Sequence, residues 1–410
     1  MSAPPSRLHH YVPRWYQKRF LPAGQETLWY LDLKPEMVIE GDIFYRRRAL
    51  WYWEPARCFC ADDLYSMRFG NETTDELEKR LFGLVDNKGA VAADFFTTYD
   101  DFRNGTHEAY GDLLRYIGAQ RFRTPHGLDW IKKMIQLRDH TQTLLAMQRL
   151  FQAFGTMWME GVWEIVRARN SSIKFIVSDD PVTFFNRGII PGGTSYPGGH
   201  DFPKVGTRTI FPLSMESCLI ITHLQLARNP WNNPTEDREN ARTFQYTIAK
   251  LTDIQFGREL EENEVLRINH ILKRSATKFI AAADKEWLYP EKHVGDIHWT
   301  KLDRDWFLLP NLWKVRFTTG IFVGNNDGSS WGMDEYGRNP GHPAYGDEER
   351  RRWEFRRFEE SKREWAKRRF EKSRAQVINQ MRENTVSDAM TDRVLRETGL
   401  LPPETAASNE

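Results

Sequence analysis

The order in which two hydrophobic periods follow one another does most to limit what this chain can fold into. Between about residues 62 and 168 apolar positions recur near every 3.6 residues: Leu81, Leu84, Val85, Val91 and Phe95, then Leu113, Leu114, Tyr116 and Ile117. Beyond that the texture changes. Ile173-Lys174-Phe175-Ile176-Val177, Thr209-Ile210-Phe211 and Cys218-Leu219-Ile220-Ile221-Thr222-His223 are short β-rich runs bounded by Pro, Gly, Ser and Asp. Helices gathered ahead of strands predict an α+β fold: a helical block, then a mostly antiparallel sheet with a helix packed on it. Short strands are also expected over residues 28–45, and Val162 to Arg169 reads equally as helix or strand. Glu261 to Ile280 reads as an amphipathic helix, extended by Ala281-Ala282-Ala283.

The boundaries that follow are a core domain over 8–290 and an irregular Trp-rich extension and linker over 291–346. A long charged helix over 347–386 and a partly disordered C-terminal tail over 387–410 complete the chain. With 40% hydrophobic and 28% charged residues in 410, the composition is that of a globular protein with a sizeable core. A formal net charge of +1 excludes a global field towards nucleic acid or an anionic membrane, leaving only local patches. Three cysteines are too few for a disulfide framework, and Cys58-Phe59-Cys60 is a poor match to C-x-x-C. Arg14, Lys18 and Arg19 interrupt any signal-like apolar run, and nothing is long enough to span a bilayer. A reducing, cytoplasmic setting without a membrane partner is therefore expected.

Four stretches carry chemistry. His9-His10-Tyr11-Val12-Pro13-Arg14 crowds two imidazoles, a phenol and a guanidinium together. It suits a general base, a metal ligand or a substrate contact, or else a clasp pinning the N-terminal segment to the domain. Ser178-Asp179-Asp180-Pro181 puts two carboxylates at the end of a buried-looking strand. Such a pair suits a divalent metal, Mg²⁺ or Mn²⁺, or an Asx-turn before the proline. Arg121-Phe122-Arg123-Thr124-Pro125-His126 offers guanidinium forks to a phosphate or carboxylate, or to acids of the same fold. Asn269 falls on the apolar face with Val265, Ile268 and Leu272, where a buried amide needs partners. Finally, residues 347–384 hold 13 Lys/Arg against 9 Asp/Glu, a mixed-sign helix for a nucleic acid or protein partner, or a solvated face.

In this order the pieces resemble the mainly bacterial domain of unknown function 4238 family. The likeness rests on His9-x-Tyr11-Val12-Pro13-x-x-Tyr16-x-x-x-Phe20, Ala61-Asp62-Asp63-Leu64-Tyr65, Arg123-Thr124-Pro125, Ser178-Asp179-Asp180-Pro181-Val182, Pro212-Leu213-Ser214 and Asn269, over residues 8–290. Asp180 stands where the family commonly has Asn. The resemblance implies no activity. From the residues themselves the leading expectation is a metal-assisted hydrolase acting on a phosphodiester or another phosphate-containing substrate. His9, His10 and Asp179 would be catalytic, Asp179 and Asp180 would hold the metal, and Tyr11, Arg14, Arg121, Arg123 and Asn269 would bind substrate. The alternative is a non-catalytic interaction or regulatory module whose polar motifs are structural. Geometry separates them: the first needs a histidine, Asp179 and an arginine within about one substrate length of each other.

Overall fold

A helical block and two sheets of more than two strands carry the chain, where the succession of periods predicts a helical block and one sheet. The computed structural model describes residues 7–383 apart from 41–42, 70–71, 75, 137–138, 192–201, 245–248, 296 and 319. The strands used below are β1 (Leu8–His10), β2 (Leu28–Asp32), β3 (Leu50–Trp53), β4 (Cys60–Asp62), β5 (Gly161–Arg167), β6 (Val177–Ser178), β7 (Thr183–Phe185), β8 (Arg208–Pro212), β9 (Ser217–His223), β10 (Gln255–Glu259) and β11 (Phe279–Ala282). The helices are α1 (Arg14–Lys18), α2 (Gly83–Thr97), α3 (Thr106–Arg123), α4 (Pro125–Met134), α5 (His140–Leu150), α6 (Glu262–Ser275) and α7 (Glu348–Glu383).

One sheet runs β7-β8-β9-β5-β10 and is antiparallel except where β10 lies parallel to β5. The other, β6-β11-β2-β3, is antiparallel throughout, and β1 pairs with β4. Every residue of β9 is buried, which is why it reads as an unbroken apolar run rather than an alternating one. The α+β reading therefore holds. Residues 1–348 form one compact unit, and a second begins at Glu349, its described part being the rest of α7. Trp299, Leu302, Phe307 and Leu308, from the stretch after 290, belong to the main hydrophobic core. The expected tail at 387–410 lies outside the described residues.

Two local expectations change and one open reading is settled. Ile173–Val177 has the pattern of a strand, yet only Val177 and Ser178 pair. The Phe175 amide goes instead to the Met215 carbonyl (2.9 Å) and the Ile176 amide to Asn269 Oδ1 (3.2 Å). Ala281-Ala282-Ala283 does not extend a helix: α6 stops at Ser275, and Phe279–Ala282 forms β11, paired with β2 along its whole length. Alanine's helix propensity amounts to less than about 1 kcal/mol per residue, which ladder bonds and burial between two strands outweigh. The stretch from Val162, which reads equally as helix or strand, is strand as far as Arg167, in β5.

Candidate functional site

The site is built at the junction of α3 and α4. Thr124 ends one helix and caps the next, its Oγ1 accepting the Gly127 amide (3.0 Å), while Pro125 takes the first helical position, where a missing N–H costs nothing. The turn is tight enough to require glycine. A Cβ on Gly127 would lie 2.5 Å from the Arg121 carbonyl oxygen and 2.6 Å from that of Phe122. This close reversal brings Arg121, at the end of α3, and His126, at the start of α4, to a common partner.

That partner is Asp180, in the turn after β6. Its Oδ2 accepts both Arg121 Nη1 (2.7 Å) and His126 Nδ1 (3.0 Å). All three residues are buried, and the Arg121 guanidinium also stacks over Phe184, 4.7 Å from the ring centroid. Burial alone would push the Asp180 carboxyl up. The charge of Arg121 and the hydrogen bonds from both partners outweigh it, holding the group below its ordinary value and therefore ionised. An ionised acceptor requires that His126 Nδ1 carry the proton, so in the neutral ring Nε2 presents a lone pair. Asp180 Oδ1, His126 Nε2 and Ser178 Oγ are all buried with no hydrogen-bond partner among the described residues.

Asp179 is turned the other way. Its Oδ1 accepts the Thr277 amide (2.9 Å), and its Oδ2 accepts those of Lys278 (2.6 Å) and Phe279 (2.9 Å). Burial, with Asp180 beside it, pushes the carboxyl up to about 6 even against these three donors. Both oxygens are committed to holding the start of β11. The expected Asp179–Asp180 metal pair is therefore not formed: three backbone amides close the Asp179 carboxylate, while Asp180 faces Arg121 and His126. Among the described residues no group of three or more His, Cys, Asp or Glu side chains is placed to hold a metal ion.

The N-terminal signature works as a clasp. His9 is buried and stacked on Tyr65 (5.4 Å between centroids), and its Nδ1 accepts the Tyr65 amide (3.0 Å). With that lone pair engaged, the neutral ring carries its proton on Nε2 and has no basic nitrogen to offer. His10, on the opposite face of β1, donates from Nε2 to the Ala56 carbonyl (3.0 Å), and burial lowers its pKa. The two imidazoles thus cannot act together. The Tyr11 carbonyl accepts Gln120 Nε2 (2.9 Å), and burial, then Tyr30 and Asp179, raise the Tyr11 hydroxyl well above its ordinary value. Tyr16 donates to the Pro212 carbonyl and Arg19 to that of Leu213, so the signature is tied to the β8 end of the large sheet.

The remaining expected substrate contacts are scattered. Arg123 is fully enclosed, bonded through Nε to Gln120 Oε1 (2.7 Å) and through Nη1 to Asp86 (2.7 Å). Asn269 bridges backbone, donating to the Lys174 carbonyl (2.8 Å) and accepting from Ile176, and so completes the ladder that residues 174–176 lack. Arg14 alone is exposed, lining with Lys18, Glu26 and Glu54 a half-open groove of about 520 Å³. Of the nominated residues, the structure brings Arg121 and Asp180 together; it adds His126, which sequence reasoning quoted but did not assign. The readable signal was the helix break itself: Thr124-Pro125-Gly127 folds position 121 back against position 126.

Fold and site together define an α+β protein with a buried arginine–aspartate–histidine group at a helix junction. Its residues 129–286 match the family model described as Protein of unknown function (DUF4238), so the resemblance read from the sequence is borne out over that stretch. The stretch contains Asp179, Asp180 and Asn269; the N-terminal signature, Arg121 and His126 precede it. No curated protein and no solved structure matches the chain significantly.

Proposed function

We propose that this protein is a hydrolase of phosphate-containing substrates that works from the α3–α4 junction and not from its N-terminal signature. One observation supports this reading. Asp180 orients His126 through Nδ1, while His126 Nε2 and Asp180 Oδ1 keep their hydrogen-bonding capacity in a buried place. Unpaired buried polar atoms are costly, so such a pair is suited to a group from outside the chain. A carboxylate that fixes the tautomer of a histidine is the arrangement a general base requires. His126 Nε2 would take a proton from water as its oxygen bonds to phosphorus, then return it to the departing oxygen as the old P–O bond breaks. Arg121 would offset charge on the phosphoryl oxygens. A Mg²⁺ or Mn²⁺ ion enters this reading only through Asp180 Oδ1, since Asp179 is taken.

The test is hydrolysis of bis(p-nitrophenyl) phosphate and p-nitrophenyl phosphate, with and without Mg²⁺ or Mn²⁺, by wild type, His126→Gln and Asp180→Asn. Loss of about 100-fold or more in folded His126→Gln is expected. Wild type without turnover, or His126→Gln with full turnover, overturns the proposal. A second reading, the non-catalytic interaction module, draws on the commitment of His9, Asp179, Arg123 and Asn269 to bonds within the fold. In either reading the α7 segment is the proposed partner-binding element. A cytoplasmic location is proposed with it, on the three free thiols Cys58, Cys60 and Cys218. No described helix is long and apolar enough to cross a membrane.

A further inference from the structure

We propose that the exposed face of α7 binds single-stranded nucleic acid through a stripe formed by Arg352, Arg356, Arg363, Lys367 and Phe370. At 100° per residue these five positions fall within about 60° of one another. All five are exposed, and Phe370 keeps 67% of its surface in solvent. None of the four cations makes a hydrogen bond or ion pair among the described residues.

This distinguishes them from the rest of the helix, whose charges are largely neutralised along its length. Arg350 bonds Glu354 (3.1 Å), Arg357 bonds Glu360 (2.7 Å), Lys362 bonds Glu359 (2.8 Å) and Arg368 bonds Glu364 (3.1 Å). Glu359 and Glu360, the acids in the gap between Arg356 and Arg363, are thus both held by cations off the stripe. Glu348 and Glu349 precede the stripe, and Glu371 flanks it.

The stripe is four cations spaced one turn, two turns and one turn apart, about 6, 10 and 6 Å, over roughly 22 Å. Phosphates along an extended strand recur on that scale, and three of the four cations are the planar forks that phosphate prefers. The exposed ring in line with them offers a base something to stack on, the combination that non-specific single-strand binders use. An anionic membrane fits less well, because cations and not a continuous apolar face occupy the exposed arc. The inference does not depend on the hydrolase reading, since binding is measured without turnover.

The experiment is fluorescence anisotropy of the full chain with a labelled single strand of about 20 nucleotides, a duplex of the same length and phosphatidylserine vesicles, across a salt series. The wild type should bind the single strand, and removing all four cations as R352Q/R356Q/R363Q/K367Q should weaken binding at least tenfold at low salt. The log–log salt slope should then become shallower by about 3, near 0.7 per phosphate contact for a single strand. Phe370→Ala should weaken binding with no change in slope. A control in which Lys133, Lys285 and Lys301 become Gln should bind as wild type does, and helix content by circular dichroism should be unchanged throughout. Equal affinity of wild type and quadruple variant overturns the proposal. So does preference for the duplex, or binding to vesicles and not to the strand.

Discussion

The N-terminal signature and the α3–α4 junction draw on similar side chains and commit them differently. In the signature, His9, His10, Tyr16 and Arg19 all reach backbone groups far along the chain. At the junction Arg121, His126 and Asp180 bond one another, side chain to side chain, and atoms of two of them are left over. A backbone partner is fixed by the fold, and in the signature it ties one segment to distant ones, even though Gln17 Oε1 stays buried without a hydrogen bond among the described residues. At the junction the atoms left over, His126 Nε2 and Asp180 Oδ1, belong to an acid and a base bonded to each other, and that is the remainder chemistry needs. Asp179 and Asp180 differ in the same way at adjacent positions, one closing three amides and the other bridging the side chains of Arg121 and His126.

Breaking the saturated half should have the largest effect. Asp179→Ala strands three amides at the start of β11 and should cost about 3–5 kcal/mol of unfolding free energy, read by urea titration. A cost near zero would remove the contrast between the two carboxylates. Gly127→Ala forces a methyl group into the Arg121 and Phe122 carbonyls and should cost about 2–3 kcal/mol while lowering turnover, since it displaces Arg121 from His126. Unaltered turnover would mean that the tight reversal does not position the pair.

His9→Ala and His126→Gln sharpen the comparison directly. The first should lower stability by about 2 kcal/mol and leave turnover per folded molecule intact. The second should do the reverse. A reversal of that pattern would move the candidate site back to the signature.

The last test is in pH dependence. The folded state holds the Asp179 proton more tightly than the unfolded chain, with a pKa of about 6 against 3.8. The stability this contributes is full below about pH 4 and is lost as pH rises through about 6. Unfolding titrations between pH 4 and pH 6 should therefore slope downward for the wild type, and Asp179→Asn should flatten that slope. A rising slope that Asp179→Asn abolishes would mean that the three amides, and not burial, set the titration.

How much of this was legible depends on how local the cause is. The 3.6-residue period of Leu113, Tyr116 and Ile117 and the unbroken run of β9 are properties of neighbouring residues, and both elements stand as read. Ile173–Val177 has the composition of a strand, but its amides are claimed by Asn269 and Met215, which nothing in the run announces. Ala281 and Ala282 favour a helix until β2 and the Asp179 carboxylate set the backbone of 277–282. At the site, Arg121 and Asp180 were both nominated from their chemistry. Their pairing, and the role of His126, connect positions more than fifty apart in sequence, so only the fold reveals them.

The ties from Tyr16 to Pro212 and from Arg19 to Leu213 also bear on how the chain is made. Their sequence separations are 196 and 194 residues. At ordinary elongation speeds of about 5–20 residues per second, the first helix waits roughly 10–40 s on the ribosome before its docking strand exists. Through that interval Val12, Tyr16 and Phe20, all fully buried in the finished protein, have no sheet to cover them. The segment's apolar side chains are thus closed only after about two hundred further residues have been made, an interval in which a chaperone can cover them.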